Sequence, residues 1–194
     1  MLNDLSSILS LLESRRSAKP RDLVGSGPTS AELDRMLQIA ARTPDHGKLT
    51  PWRFVVVEEQ QRDALAKLLH DILSAENPAA GEAHHRKEDE FAHFGGTLVI
   101  LVSAPVRDHK IPVWEQELSC GAVGMNLMLA ATARGFDCGW VTGWRAYSPG
   151  VMRALCEPGE RIAGFLFIGH AADELEERER PDLQRIVRYW IGHP

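Results

Sequence analysis

Two short stretches of the chain carry side chains whose types and spacing could do chemistry together. One is Arg42-Thr43-Pro44-Asp45-His46-Gly47-Lys48-Leu49-Thr50-Pro51-Trp52, with two prolines, one glycine and four charged or titratable side chains. An amphipathic helix pattern ends just before it, and the strand-like run Phe54-Val55-Val56-Val57 starts just after it. Helix-to-strand connections usually span about 2–6 residues, so this one is too long for a bare turn. Loops held by a rigid scaffold are where binding residues concentrate. The other stretch is Arg15-Arg16-Ser17, at the end of the first helix pattern. Two guanidinium groups beside a hydroxyl suit a phosphate, through charge-assisted hydrogen bonds. Arg42, His46 and Lys48 offer three more donors, and the two stretches are expected to meet. Each residue also has a plainer reading. Arg15 and Arg16 fit a solvated helix C-terminus, where cations favour the helix dipole. Arg42 and Lys48 fit ordinary surface charge, and His46 fits a turn residue bonded within its own loop.

Other chemistries find less support. No G-x-S-x-G elbow is present, and none of Cys120, Cys138 and Cys156 has the local signature of a nucleophile. Glu115 and Glu117 are two apart on a helical pattern and point different ways. His84, His85 and His93 lack metal-ligand spacing and fit a solvated face better. No G-x-G-x-x-G follows the first strand and no P-loop sequence occurs, which argues against a doubly wound nucleotide-binding fold.

The elements that must position these residues are legible in part. A chain of 194 residues, 44% hydrophobic and 25% charged, fits one globular domain with a real core. A net charge of −5 argues against nucleic acid or an anionic membrane as the main partner. An odd number of cysteines, with no C-x-x-C pair, argues for a reducing compartment. The N-terminus lacks a signal-peptide pattern, and the longest apolar run, Ser119 to Ala133, is shorter than the ~18–20 residues of a membrane span. A cytoplasmic protein is the expectation.

Leu5, Ile8, Leu9 and Leu12 predict a first amphipathic helix, capped by Asn3 or Asp4 and stopped by Pro20. Thr29-Ser30-Ala31-Glu32 is a capping-box pattern opening a second helix with Leu33, Met36, Leu37, Ala40 and Ala41 on one face. A third helix is expected from about Gln60 to Ala75. The charged segment Glu82 to Phe94 reads as a surface helix or a mobile lid. Thr97 to Val102 is a buried strand, followed by a long helix from about Val113 to Arg134 that is apolar on nearly all sides and closed by Gly135. Cys138 to Thr142 and Ile162 to Gly169 complete four strand candidates, with a short helix opened by Ser148-Pro149 between them. The tail from Asp173 is dense in Glu and Arg and ends in Val187-Arg188-Tyr189-Trp190, which predicts docking onto a body, its own or a partner's. Four strands alternating irregularly with helices indicate an α+β sandwich around a modest sheet.

The order of these motifs resembles the FMN-dependent nitroreductase family. The resemblance rests on a first helix ending in Arg15-Arg16-Ser17, then Ala41-Arg42-Thr43-Pro44-Asp45-His46 with Pro51-Trp52 before a strand. Trp114-Glu115-Gln116-Glu117 opening the long helix and the strand Gly164-Phe165-Leu166-Phe167-Ile168-Gly169 are similar to the short bacterial NAD(P)H nitroreductase subgroup. It implies one domain over residues 1–194, with a small, mainly antiparallel sheet surrounded by helices. It also implies an intertwined homodimer with two FMN sites at the interface, and a tail, 173–194, docked on the partner. In that picture Arg15, Arg16 and Ser17 hold the flavin phosphate and ribityl chain, and Arg42 and His46 join them from the other subunit. Trp140, Val141 and Thr142 line the isoalloxazine edge. The implied activity is hydride transfer from NADH or NADPH through flavin N5 to a nitroaromatic, quinone or similar acceptor, in ping-pong fashion and with no catalytic side chain. Related flavoenzymes of one specific metabolite, and a flavin-binding module without turnover, are the alternatives. Lys48-Leu49-Thr50 stands where many members carry a polar Ser/Asn-x-Gln, and Arg178 and Arg180 are candidates for a late contact to the phosphate.

Overall fold

The computed structural model describes residues 1–192; the last two residues of the expected tail segment lie outside the described ones. In chain order the elements are α1 (Ile8–Ser14), β1 (Leu23–Val24), α2 (Ser30–Ala40), β2 (Trp52–Val57), α3 (Arg62–Glu76), α4 (Glu82–Ala92), β3 (Thr97–Ser103), α5 (Val113–Ala133), β4 (Asp137–Val141), α6 (Trp144–Tyr147), α7 (Pro149–Leu155), β5 (Arg161–Ala171) and α8 (Leu183–Ile186). The five strands form one antiparallel sheet in the order β1-β5-β3-β2, with β4 also pairing β5. Since β3 occupies one edge of β5 over Arg161–Ile168, β4 takes the opposite edge over Phe165–Gly169, and β1 continues the β3 edge, where the Gly96 amide donates to the Gly25 carbonyl at 3.1 Å.

β3 and β5 are almost wholly buried, and the alternation of side chains along a strand sends them into two cores. Leu98, Ile100, Val102, Phe165 and Phe167 face Leu65 and Leu69 of α3, Phe91 of α4 and Val151 of α7. Val99, Leu101, Leu166 and Ile168 face Leu33 and Met36 of α2 and Val123, Leu127 and Met128 of α5. Burial on both faces explains why these strands read as unbroken apolar runs. The result is a sheet between two helical layers, the α+β sandwich expected.

The capping box at Thr29 is formed: its hydroxyl accepts from the Glu32 amide and the Glu32 carboxylate accepts from the Thr29 amide. Two expectations change. The first helix begins at Ile8 and is capped by Ser7, whose hydroxyl accepts from the Ser10 amide, so Leu5 precedes it. A fifth strand, the two-residue β1, joins the sheet. Of the two readings of Glu82 to Phe94 the helix is seen: α4 packs against α3 and buries Glu88, Phe91 and Ala92.

One apolar face of α1 has nothing over it. Ile8, Leu9 and Leu12 are exposed, Ile8 by 82%. Trp114, Leu118 and Met125 stand exposed along α5 at helical spacing, and Tyr189 and Trp190 of the tail are exposed as well. The tail aromatics therefore do not dock on the body of their own chain. Among the described residues no helix is long and apolar enough to cross a membrane.

Candidate functional site

The site is built where the segment after α1 crosses β4. The Ala18 amide donates to the Cys138 carbonyl at 2.9 Å, on the edge of β4 that β5 leaves free. In an antiparallel ladder successive residues turn their backbone groups to opposite edges. The Cys138 carbonyl faces outward, so the Trp140 amide and carbonyl face outward too, in the direction of chain that leads to Thr142. The crossing is tight. A Cβ on Gly139 would lie 2.5 Å from the Ala18 carbonyl oxygen and 2.8 Å from Pro20 Cδ. Glycine at 139 lets Ala18 and Pro20 lie against the strand, and Asn3, which accepts from the Arg16 amide and donates to Asp137, ties the preceding residues to the start of β4.

Basic, hydroxylic and acidic groups share this edge. Arg15 Nη1 donates to the Ser17 hydroxyl at 3.1 Å. Arg16 Nε donates to the Glu176 carbonyl at 2.7 Å, and its Nη1 donates to the Ser17 carbonyl at 3.3 Å. Arg180 Nη2 donates to the Arg15 carbonyl at 3.3 Å and to Glu177 Oε1 at 2.7 Å. Arg180 is thus brought beside Arg15, while Arg178 is tied only through its backbone amide to the Glu177 carboxylate. A recess of about 170 Å³ opens here, lined by Arg16, Ser17 and Lys19 and by the acidic Asp22, Asp173, Glu174 and Glu176. Cofactor pockets usually measure at least about 300 Å³, more than this recess offers. A larger cleft of 860 Å³ lies elsewhere, lined by Arg62 and His93 together with Asp34, Glu58, Glu59 and Asp63.

Trp140 behaves differently from a side chain that lines a site. Its indole donates to the Ala163 carbonyl at 3.1 Å and its ring lies against Gly124 and Gly164. A Cβ on Gly124 would meet the ring at 2.4 Å. The side chain is therefore committed to packing β4 between α5 and β5, and Trp140 presents backbone groups to the free edge. Val141 is half-buried and packs toward the α3 side; Thr142 is half-buried at the strand end.

The loop Arg42–Trp52 is sewn onto one stripe of α5. His46 Nδ1 lies 2.7 Å from Glu115 Oε2, Ser119 donates to the Pro44 carbonyl at 2.9 Å, and Asn126 donates to the Thr43 hydroxyl at 2.7 Å. Asp45 Oδ2 accepts from the Thr50 amide at 2.7 Å. Lys48 and Thr50 take left-handed backbone angles, φ 56° and 51°, which non-glycine residues adopt at a cost of about 1–3 kcal/mol each. Arg42 and His46 are exposed. Within one chain no hydrogen bond or ion pair among the described residues joins this loop to Arg15–Ser17, so the two stretches do not meet inside a protomer.

Burial pushes the Cys120 and Cys138 thiols up to about 11, and Cys156 is raised too, so none is a thiolate at neutral pH. Among the described residues no group of His, Cys, Asp and Glu could hold a metal ion.

Comparison with known proteins fits this geometry. A model of the nitroreductase family matches residues 12–170. The chain belongs to the nitroreductase family, whose members are oxidoreductases. The chain is 35% identical over 166 residues to a protein of Escherichia coli K12 provisionally named NAD(P)H nitroreductase YdjA, covering 83% of this chain and 86% of that one. It is 34% identical over 185 residues to a protein of Haemophilus influenzae provisionally named NAD(P)H nitroreductase, covering 93% and 98%. Among solved structures, a nitroreductase-like family protein of Bacillus cereus superposes with a TM-score of 0.82 at 22% identity, over 96% of this chain and 97% of that one. A provisionally named nitroreductase of Exiguobacterium sibiricum, solved in complex with FMN, superposes with a TM-score of 0.70 at 16% identity, over 95% and 98%. These two establish the shared fold.

Proposed function

We propose that the protein is an FMN-dependent oxidoreductase that works as a homodimer and uses NADH or NADPH to reduce a nitroaromatic, quinone or similar acceptor. The observation that carries the reading is the Ala18–Cys138 backbone bond. It holds against β4 the segment that carries two arginines and a serine hydroxyl, donors that suit the phosphate of a flavin. Arg15, Arg16 and Ser17, with Arg180 beside them, would hold the phosphate and the ribityl chain. The backbone of Trp140, Val141 and Thr142 would border the isoalloxazine ring, where amides tune its electronics.

Arg42 and His46 would reach the same site from the partner subunit. The exposed faces of α1 and α5 and the tail supply apolar surface for such a dimer. Residues 1–194 then form one domain, with 173–194 docked on the partner. A flavin held by Arg15, Arg16 and Ser17 would supply the hydride chemistry between the nicotinamide and the acceptor. No side chain at the edge is required as acid or base; the chain's work is to hold the ring and leave one face open. Turnover with varied NAD(P)H at several fixed acceptor concentrations tests this. Parallel double-reciprocal lines support the alternating scheme, and intersecting lines refute it.

A further inference from the structure

α4 is the most charged helix of the chain, yet one of its carboxylates is fully enclosed. Glu88 is only 3% exposed. Its Oε1 accepts from Trp144 Nε1 at 3.0 Å and its Oε2 from Arg145 Nε at 2.5 Å. The Arg145 guanidinium also donates to the Lys87 carbonyl at 3.2 Å and lies 3.8 Å from the centre of the Phe91 ring. Both donors are the first two residues of α6, directly after the turn that ends β4. That turn is made by Gly143 at φ 71°, ψ −170°, a conformation that essentially only glycine takes. α6 contributes the bond of the Ala146 amide to the Gly143 carbonyl and the burial of Ala146, and the Glu88 contacts add to these.

The other end of the clamp is firm. Phe91 packs edge-on against Phe165 and Phe167 of β5, and His93 ties the end of α4 to Asp63 of α3 at 2.9 Å. We infer that Glu88 is a positioning residue for the flavin edge: by gripping Trp144 and Arg145 it fixes the Gly143 turn and thereby the backbone of Trp140 to Thr142. This rests on the reading of β4 as the flavin-facing edge. Desolvating a carboxylate and a guanidinium is costly, and a hydrophobic pair would pack as well here. What an ion pair adds is a fixed direction for both partners.

The test uses the full-length protein with FMN as the probe. Trp144→Phe removes one grip and keeps an aromatic ring; Glu88→Gln removes the charge. Glu76→Gln is the control, because Glu76 accepts from the Gly150 amide of α7, away from β4. Three readouts are taken: amide hydrogen exchange at residues 140–143 without FMN, FMN affinity by fluorescence quenching, and the absorption band of the bound flavin. The expected result is faster exchange at 140–143, a shifted flavin band and FMN binding weakened about tenfold, the effect of one hydrogen bond. Glu76→Gln should lower thermal stability and change none of the three. Unchanged exchange, band and affinity in folded Trp144→Phe would overturn the inference even if stability falls. Failure of the unaltered protein to take up FMN would instead overturn the flavin-edge reading, and the inference with it.

Discussion

Gly139→Ala is the sharpest probe of how the site is assembled. The added methyl would lie 2.5 Å from the Ala18 carbonyl oxygen and 2.8 Å from Pro20 Cδ, and neither neighbour is the loose end of a flexible side chain. β4 is held by β5 along Asp137–Val141, so the crossing segment is the part that must lift. Lifting it breaks the Ala18–Cys138 hydrogen bond, worth about 1 kcal/mol. Crowding in a packed site costs a further ~1–3 kcal/mol. The expected destabilisation is therefore about 2–4 kcal/mol, read from urea unfolding. The same movement carries Ser17 and Arg16 off the strand edge, so FMN affinity should fall by about tenfold or more under conditions where both proteins are folded. Gly81→Ala, at a position with nothing within 4 Å of the new methyl, should stay within about 0.5 kcal/mol. A Gly139→Ala protein as stable as the parent, with unchanged FMN affinity, would refute the crossing as the basis of the site.

Arg16→Ala should weaken FMN binding by about 1–3 kcal/mol in a titration, since a charge-assisted contact to the phosphate is lost; unchanged retention would remove Arg16 from the site. His93 should make stability depend on pH. Its bond to the Asp89 carbonyl, and then Asp63, raise its pKa above 6.5, so the stabilisation is complete below the unfolded value and is lost as pH rises through the folded one. The urea midpoint should therefore drop more in the parent than in His93→Gln as pH rises above 6.5; equal drops would refute the assignment. Ile8→Asp together with Leu9→Asp places charge on the uncovered face of α1 and should shift the protein toward monomer in analytical ultracentrifugation, with loss of FMN; a monomeric parent would refute the dimer.

Much of the scaffold was legible because its signals are local. The Thr29–Glu32 capping box, the apolar runs of β3 and β5 and the Gly135 end of α5 each lie within a few residues of sequence. What stayed hidden depends on distant pairs. β1 has only two residues and exists because His170 and Ala171 are there to pair with it. Glu88 sits among seven other charged or histidine side chains of α4, and only Trp144 and Arg145, more than fifty positions on, show that it is buried. Gln116 is enclosed because it bonds the backbone of Val106 and Ile111 across a loop without periodicity. The residue types at Arg15, Arg16 and Ser17 announced an anion site. That they lie along β4 follows from glycine at 139, and the glycine carries that meaning only when the crossing segment is known. Trp140 reads as an aromatic available to a ring ligand until Gly124 and Gly164 are seen to enclose it.

The most direct test of the central claim is the visible absorption spectrum of the purified protein, before and after anaerobic addition of NADH or NADPH. The expected result is a yellow protein with flavin bands that bleach on addition of the nicotinamide and return with an acceptor. A colourless protein that takes up no added FMN would contradict the assignment of Arg15, Arg16, Ser17 and the β4 edge to a flavin site.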